Sequence, residues 1–282
     1  GVGPLPKLGL VGAAWGSVIA QGCGLMVYAY LLLHPSREHL LVLRAPFRIN
    51  WAQQWRMIKI GAPSGVQYLL FSIMVMLIYA YIGPYGAAAS AAVGIGFRII
   101  QSAVMPCVAI GVAVASLVGQ NYGARRLDRV KSVIRWGLLY TVGVGALEAA
   151  IFAVMPHFWV SLFSSEAEVL AIGVLYLTIN CLMLPPNAFG LVATFTSQGL
   201  GRTFAPMLAV VVRVGYFVLA LQIVQRTWGL TLERIFWIGV SATLADMVAM
   251  SVVMYLFWTR TLKPGAVPAG GPKPVAPVPD AG

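Results

Sequence analysis

The stretch AAASAAVGIGFRIIQSAVMPCVAIGVAVASLV, residues 87–118, decides the fold of this chain. Its only charged residue is Arg98, and it exceeds the roughly 20 apolar residues that a helix needs to cross the hydrocarbon core of a membrane. A strand of a membrane barrel would alternate apolar and polar residues over about 10 positions. Because this stretch is continuously apolar, it predicts a transmembrane helix.

The whole chain has the same apolar character. Hydrophobic residues make up 60% of it and charged residues 10%, against roughly 25% charged in an average soluble domain. A soluble fold of 282 residues lacks the interior to bury so much apolar surface. We therefore predict an all-α integral membrane protein with seven transmembrane helices. The spans are Leu8–Leu33, Ile58–Ile82, Ala87–Val118, Val133–Met155, Leu170–Phe189, Thr203–Val224 and Ile235–Trp258.

Positive charge is concentrated in every second gap between these spans. Lys and Arg are frequent between the first two spans and between Arg125 and Arg135, and they recur at Arg202 and after Trp258. Since basic loops stay on the cytoplasmic side, we expect a multi-pass protein of the cell membrane with a cytoplasmic C-terminus and an external Gly1. The net charge of +11 follows from this bias, so no nucleic-acid partner is expected.

Two segments outside the spans have a distinct character. In Trp51–Lys59 the residues Trp51, Trp55 and Ile58 recur at helical spacing, which predicts a short amphipathic segment on the inner surface. Pro63 would then fall in the first turn of the second span, where proline is tolerated. The tail from residue 263 to 282 is rich in Pro, Ala and Gly and is predicted to be disordered.

Charged residues within the spans are candidate functional groups, because they are costly at membrane depth. Arg98 shares a helix face with Gln101, three residues further on. Glu148, Arg213 and Asp246 lie in the fourth, sixth and seventh spans. They line a substrate or ion pathway on one interpretation. On the other they form interhelical pairs, such as Arg98 with Glu148 or Arg213 with Asp246.

A second candidate region is the fifth span, where Pro185 and Pro186 remove backbone hydrogen bonds and predict a bend. Bent helices in transporters occur where backbone lines a cavity. The predicted cavity-lining residues of the whole chain are Gln67, Tyr68, Arg98, Gln101, Asn180 and Asn187.

The sequence contains no catalytic constellation. It has neither a nucleotide-binding G-x-x-x-x-G-K-[ST] loop nor an H-E-x-x-H pair. The cysteines at 23, 107 and 181 fit neither a zinc site nor a disulfide framework. We therefore expect no enzymatic activity, no cofactor and no metal site.

Three segments together resemble the multidrug and toxic compound extrusion (MATE) family. They are GAP at 61–63, the run from Ala87 to Ala124 with GIGFR at 94–98 and VGQNYGA at 118–124, and QGLGRT at 198–203. Within the second segment, Gly119 and Gly123 are expected to end a helix with positive φ. The resemblance covers about residues 8–262.

The resemblance implies a fold of two six-helix bundles. Residues 1–33 would be the last helix of the first bundle and residues 34–59 a cytoplasmic linker. Residues 60–262 would form the second bundle, and residues 263–282 the disordered tail. The earlier helices of the first bundle would then be missing from this chain and would be its partner, together with the lipid bilayer.

The function implied is that of a secondary antiporter, which exports small organic cations in exchange for Na⁺ or H⁺ by alternating access. In the branch similar to NorM, the second bundle carries acidic cation-site residues at positions that correspond to Phe71 and Asn187, so this chain departs from that pattern. In the branch similar to DinF, the ion site depends on an aspartate of the first helix. We therefore favour the DinF-like branch, with the coupling ion bound mainly in the missing half.

Two other functions remain open. The first is a lipid-linked oligosaccharide flippase of the same superfamily, which would need cationic groups for a phosphate-bearing cargo. The second is a complete seven-helix receptor, which fits the number and orientation of the spans but leaves residues 119–124 unexplained.

Overall fold

The computed structural model describes residues 9–33 and 50–262, and all the regular structure in these ranges is helical. The predicted disordered tail, residues 263–282, and residues 34–49 of the linker predicted at 34–59 lie outside the described residues, while the end of that linker is part of the second helix. The helices are α1 Gly9–Leu33, α2 Trp51–Ile82, α3 Ala87–Gly123, α4 Leu127–Val154, α5 Pro156–Ser161, α6 Ala167–Asn180, α7 Leu184–Gly199, α8 Phe204–Thr227 and α9 Leu232–Leu256, with 3-10 turns at Gly83–Tyr85 and Cys181–Met183 and a π-turn at Phe257–Thr261.

Six segments in the described ranges are long and apolar enough to cross a membrane: α2, α3, α4, α6 together with α7, α8, and α9. The prediction of an all-helical membrane protein is therefore confirmed. The first predicted span coincides with α1, and its assignment as a seventh span stays a prediction.

The chain divides into a unit of residues 1–54 and a unit of residues 55–282. The first contains α1 and the start of α2, where the Asn50 side chain accepts hydrogen bonds from the amides of Ala52 and Gln53. This side-chain cap satisfies two amides that have no partner within the helix. The second unit is a bundle of helices with its own buried core.

Helix α3 lies at the centre of this bundle and packs against α4, α6 and α7. Small residues permit the close crossings. A Cβ atom at Gly199 of α7 would lie 2.5 Å from the carbonyl oxygen of Ala115 of α3. A Cβ atom at Gly96 or Gly111 would overlap the rings of Tyr176 and Phe195, respectively. Such small-residue contacts are typical of helix association in membranes, where close packing replaces the hydrophobic effect.

Helix α2 packs far less tightly than α3. Only Met74 and Ile82 of its residues are buried. The structure also shows that Trp51–Lys59 is continuous with the second span rather than a separate segment before it. Pro63 consequently lies in the interior of α2 and not in a first turn. Its missing N–H leaves the carbonyl of Lys59 without a helix partner.

The end of α3 differs from the sequence-based expectation. The helix continues through Gly119 and ends at Gly123, and neither glycine has a positive φ. The left-handed residue is instead Arg125, with φ 59°. The amide of Arg126 donates to the carbonyl of Asn121, and that of Arg125 to Tyr122, which is the hydrogen-bond pattern of a Schellman cap. Gly119 serves close packing, since a Cβ there would lie 3.3 Å from the carbonyl oxygen of Gly199.

The predicted interruption of the fifth span is present. A 3-10 turn at Cys181–Met183 separates α6 from α7, and Pro185 and Pro186 occupy the first turn of α7. The interruption precedes the prolines because their missing N–H groups deprive the residues four positions earlier of hydrogen bonds.

Candidate functional site

One face of α3 is open along the bundle. Arg98, Gln101, Met105 and Val112 are exposed and recur at the spacing of a single helix face. Cys107 points the opposite way, since it lies nine residues, or about two and a half turns, beyond Arg98. Its thiol donates to the backbone carbonyl of Thr141 in α4 at 3.7 Å. The open face is thus the side of α3 turned away from α4.

The open face is polar near Arg98. The side-chain hydroxyl of Ser102 donates to the carbonyl of Arg98 at 2.9 Å. Pro106 has no N–H, so the carbonyl of Ser102 loses its helix partner. Ionisable side chains in membrane helices almost always face a protein interior or a water-filled cavity. A guanidinium, an amide side chain and a freed carbonyl thus lie together on this face, which makes it the candidate cavity surface.

Aromatic rings from α2 border this open face. The ring centroids of Phe71 and Phe97 lie 6.4 Å apart in a stacked arrangement. The connection at residues 83–86 is short, so α2 and α3 run antiparallel from it. Tyr68 and Gln101 each lie about one helical turn beyond the Phe71–Phe97 contact, further from this connection. The side chain of Tyr68 is 73% exposed. We define the α3 open surface by Tyr68, Phe71, Phe97, Arg98 and Gln101.

The other predicted cavity residues lie elsewhere. Gln67 is half-buried, and its Nε2 atom donates to the carbonyl of Thr203 at 3.5 Å. Asn180 is 3% exposed, with its amide donating to the carbonyl of Tyr176 at 3.0 Å. It therefore lies in the core and not on the open surface. Asn187 is half-buried in the first turn of α7. Of the six residues, the structure places Arg98 and Gln101 on the exposed face of α3, with Tyr68 on α2 at its border.

Arg213 and Asp246 form an interhelical pair between α8 and α9. Their closest charged atoms, Nη1 and Oδ2, are 4.0 Å apart, and each side chain is 14% exposed. Arg213 also donates to the hydroxyl of Thr243 at 3.1 Å. The Nε atom of Arg213 and the Oδ1 atom of Asp246 are buried without a hydrogen-bond partner. The pairing interpretation is confirmed for these two residues.

The alternative pair of Arg98 with Glu148 does not form. Within residues 50–262, Arg98 is exposed without an ion pair, while Glu148 of α4 is half-buried with its Oε2 atom unpartnered. α4 packs on the face of α3 opposite to Arg98, which keeps the two apart. Across the described ranges no three His, Cys, Asp or Glu side chains come close enough to hold a metal ion.

A feature that sequence reasoning missed is the meeting of the three motif segments. Thr203 is buried, and its hydroxyl donates to the carbonyl of Ile60 at 2.8 Å, beside the GAP segment. Its own carbonyl accepts from Gln67. Gly199, in the same QGLGRT segment, is the residue against which Gly119 packs. The turn at 198–203 therefore joins α2, α3 and α7, and the only sequence signal for this was that the three segments occur together.

Comparison with known proteins gives consistent relatives. The family model MatE matches residues 63–224. The probable multidrug resistance protein YoeA of Bacillus subtilis is 31% identical over 69% of this chain and 43% of its own length. The probable multidrug resistance protein NorM of Thermotoga maritima is 25% identical over 90% of this chain and 53% of its own length. The chain thus spans about half the length of these curated relatives.

The structural comparison supports the same fold. The Vibrio cholerae MATE transporter VcmN superposes with a TM-score of 0.77 at 21% identity, covering 91% of this chain and 58% of that one. At this level of identity the similarity concerns the fold alone.

Proposed function

Because the chain belongs to the MatE family, whose members are transporters and not enzymes, we propose that it is part of a multidrug exporter of the membrane. The relatives named as multidrug resistance proteins support this function. The observation in this chain that carries it is the open face of α3, where Arg98 and Gln101 are exposed in a helix otherwise long and apolar enough to cross the bilayer.

The proposed exporter has two bundles, of which this chain provides the second together with the last helix of the first. Support comes from the separation of residues 1–54 from the bundle that follows, and from the roughly half-length match to the relatives. We also propose the DinF-like branch, since Phe71 and Asn187 stand where the NorM-like branch has acidic residues. A reading frame upstream of Gly1 that encodes about five further spans, with an aspartate in the first, is expected; its absence would contradict both assignments.

Transport would follow alternating access between the two bundles. The α3 open surface would form one wall of the substrate cavity, with Tyr68, Arg98 and Gln101 in contact with the substrate. Gln67 and Asn187, which are half-buried, would contribute to the cavity in a second conformation. Asn180 would position the interrupted helix from within the core. The coupling ion, Na⁺ or H⁺, would bind mainly in the first bundle, and the C-terminus would be cytoplasmic.

The experiment that tests this function is the accumulation of a fluorescent organic cation in efflux-deficient cells expressing the complete reading frame. We expect lower accumulation than in cells without the protein, and an ionophore that collapses the ion gradients should restore it. Unchanged accumulation, with the protein present in the membrane, would contradict gradient-driven export. Family membership does not favour the two alternatives, an oligosaccharide flippase or a seven-helix receptor.

A further inference from the structure

We propose that Arg98 binds an anionic group of the transported molecule, so that the preferred substrates are zwitterionic drugs that carry a carboxylate or phosphate besides their cationic group. This inference rests on the proposed export function and names its substrate class.

The positive charge of Arg98 has no counterpart among residues 50–262. Its guanidinium is exposed on α3, and no ion pair or side-chain hydrogen bond involves it among residues 50–262. Neither α2 nor α3 contains an Asp or a Glu. An arginine is effectively always charged. The surface therefore presents one uncompensated positive charge at membrane depth.

The other charged groups deep in the spans are either paired or remote from Arg98. Arg213 and Asp246 lie 4.0 Å apart and compensate each other. Glu148 belongs to α4, which contacts the opposite face of α3. None of these groups neutralises Arg98. A purely cationic substrate placed against the α3 open surface would be repelled by Arg98 and would meet no carboxylate of this surface.

The surroundings of Arg98 suit an amphiphilic molecule. Tyr68 and Phe71 are exposed aromatic side chains on the α2 side of the surface, and Gln101 supplies an amide one turn from Arg98. A planar guanidinium can bind a carboxylate or phosphate through two parallel hydrogen bonds. The aromatic rings would then contact the apolar part of the same molecule. The surface thus matches a drug-sized ligand with one anionic group.

A matched pair of dyes tests this inference directly. Rhodamine 110 carries a free carboxylate, and rhodamine 123 is its methyl ester, so the two differ in a single charge. Their affinities for the purified protein, expressed from the complete reading frame, are measured by fluorescence anisotropy. We expect rhodamine 110 to bind about tenfold more tightly, in line with a hydrogen-bonded charge pair.

Variants of Arg98 assign this preference to the guanidinium. Arg98→Gln is expected to lower the affinity for rhodamine 110 and, by removing the repulsion, to raise the affinity for rhodamine 123, so that the preference is lost. Arg98→Lys should keep part of the preference, because the charge remains while the paired hydrogen bonds are lost. Arg226→Gln is the control, since it removes one exposed positive charge at the end of α8 and should leave both affinities unchanged.

Three outcomes would overturn the inference. Equal binding of both dyes by the unaltered protein contradicts an anion preference. An undiminished preference for rhodamine 110 in Arg98→Lys, and in Arg98→Gln where that variant folds, would show that the guanidinium does not bind the carboxylate. Competition by short-chain phosphatidylglycerol but not phosphatidylcholine, without a dye preference, would assign it to a lipid headgroup.

The same dyes separate this inference from the proposed function. If cells export rhodamine 123 and the protein shows no preference for rhodamine 110, the exporter stands and the substrate class is wrong. If the protein in the membrane neither exports nor binds either dye, the proposed function fails and the inference fails with it.

Discussion

At the scale of single residues, the most unusual group is the pair of Arg213 and Asp246. Two opposite charges on neighbouring spans, α8 and α9, are 4.0 Å apart, and each residue has one buried atom without a hydrogen-bond partner. Removing charges from water is expensive, so an incompletely hydrogen-bonded pair adds little net stability. Removing one partner is a different matter, because the remaining charge is then buried and uncompensated.

The effects of the two single charge removals on stability are therefore expected to be strongly non-additive. Asp246→Asn alone, or Arg213→Gln alone, is expected to destabilise the bundle by about 3 kcal/mol or more. The double variant should be considerably more stable than the sum of the two predicts. The measurement is the thermal unfolding midpoint of the protein in detergent, taken over the full double-mutant cycle.

Thr243→Val serves as the matched control, because it removes the hydroxyl that accepts from Arg213 and keeps both charges. Its effect should be smaller than that of either single charge removal. Strictly additive effects of the two charge removals would show that Arg213 and Asp246 do not interact in the folded protein.

At the scale of helices, the ends of α3 and α7 are built alike but with different residues. Both end in a Schellman cap, with a left-handed residue at Arg125 (φ 59°) and Gly201 (φ 69°). Glycine adopts this conformation without penalty, whereas a residue with a Cβ pays about 1 kcal/mol. The two caps therefore have the same backbone geometry, which is strained at Arg125 and unstrained at Gly201.

Opposite substitutions should have opposite effects at these caps. Arg125→Gly is expected to stabilise the protein by up to about 1 kcal/mol, and Gly201→Ala to destabilise it by a similar amount. Thermal unfolding in detergent, with both variants measured in one buffer, checks this. A shift of the same sign for both would mean that the side chain of Arg125 makes contacts that outweigh its backbone strain.

The helices also show which parts of the fold could be predicted from sequence. The ends of the second span at Ile82 and the start of the third at Ala87 follow directly from GPYG at residues 83–86. The interruption before Pro185 follows from missing N–H groups. The continuation of α3 past Gly119 could not be predicted, because a glycine suits both a helix end and a close crossing. The neighbour that decides between them, Gly199, is distant in sequence.

The residues of the candidate site could be predicted from sequence only in part. Arg98 and Gln101 could be found from sequence, since a charged residue and an amide share one face of an apolar helix. Asn180 could not be separated from them, because a buried asparagine and a cavity asparagine look the same in a sequence. The structure separates the two by the hydrogen bond of Asn180 to Tyr176 and its burial.

At the scale of the whole molecule, the described spans end in turns of contrasting charge. Arg125, Arg126 and Arg129 follow α3, and Arg202 lies in the turn after α7. The turn between α5 and α6 contains Ser164, Ser165 and Glu166 and no basic residue. The distribution of basic residues favours a cytoplasmic location for the first two turns and an external one for the third.

Single cysteines can test this orientation in intact cells. In a variant whose native cysteines at 23, 107 and 181 are replaced, Ser165→Cys is expected to react with a membrane-impermeant maleimide, and Gln120→Cys only after the cells are permeabilised. Both positions are exposed, so accessibility within the fold is matched. Labelling of Gln120→Cys but not Ser165→Cys in intact cells would reverse the assigned orientation.

The turn at residues 198–203 has a consequence for how this chain tolerates change. Thr203 is bonded to α2 on one side, and Gly199 is in close contact with α3 on the other. Segments that are distant in sequence, with 143 positions between Ile60 and Thr203, are therefore packed into one unit. A substitution in one of the three segments is accommodated only if the other two can change with it. Tolerated changes there should therefore occur as correlated sets rather than singly.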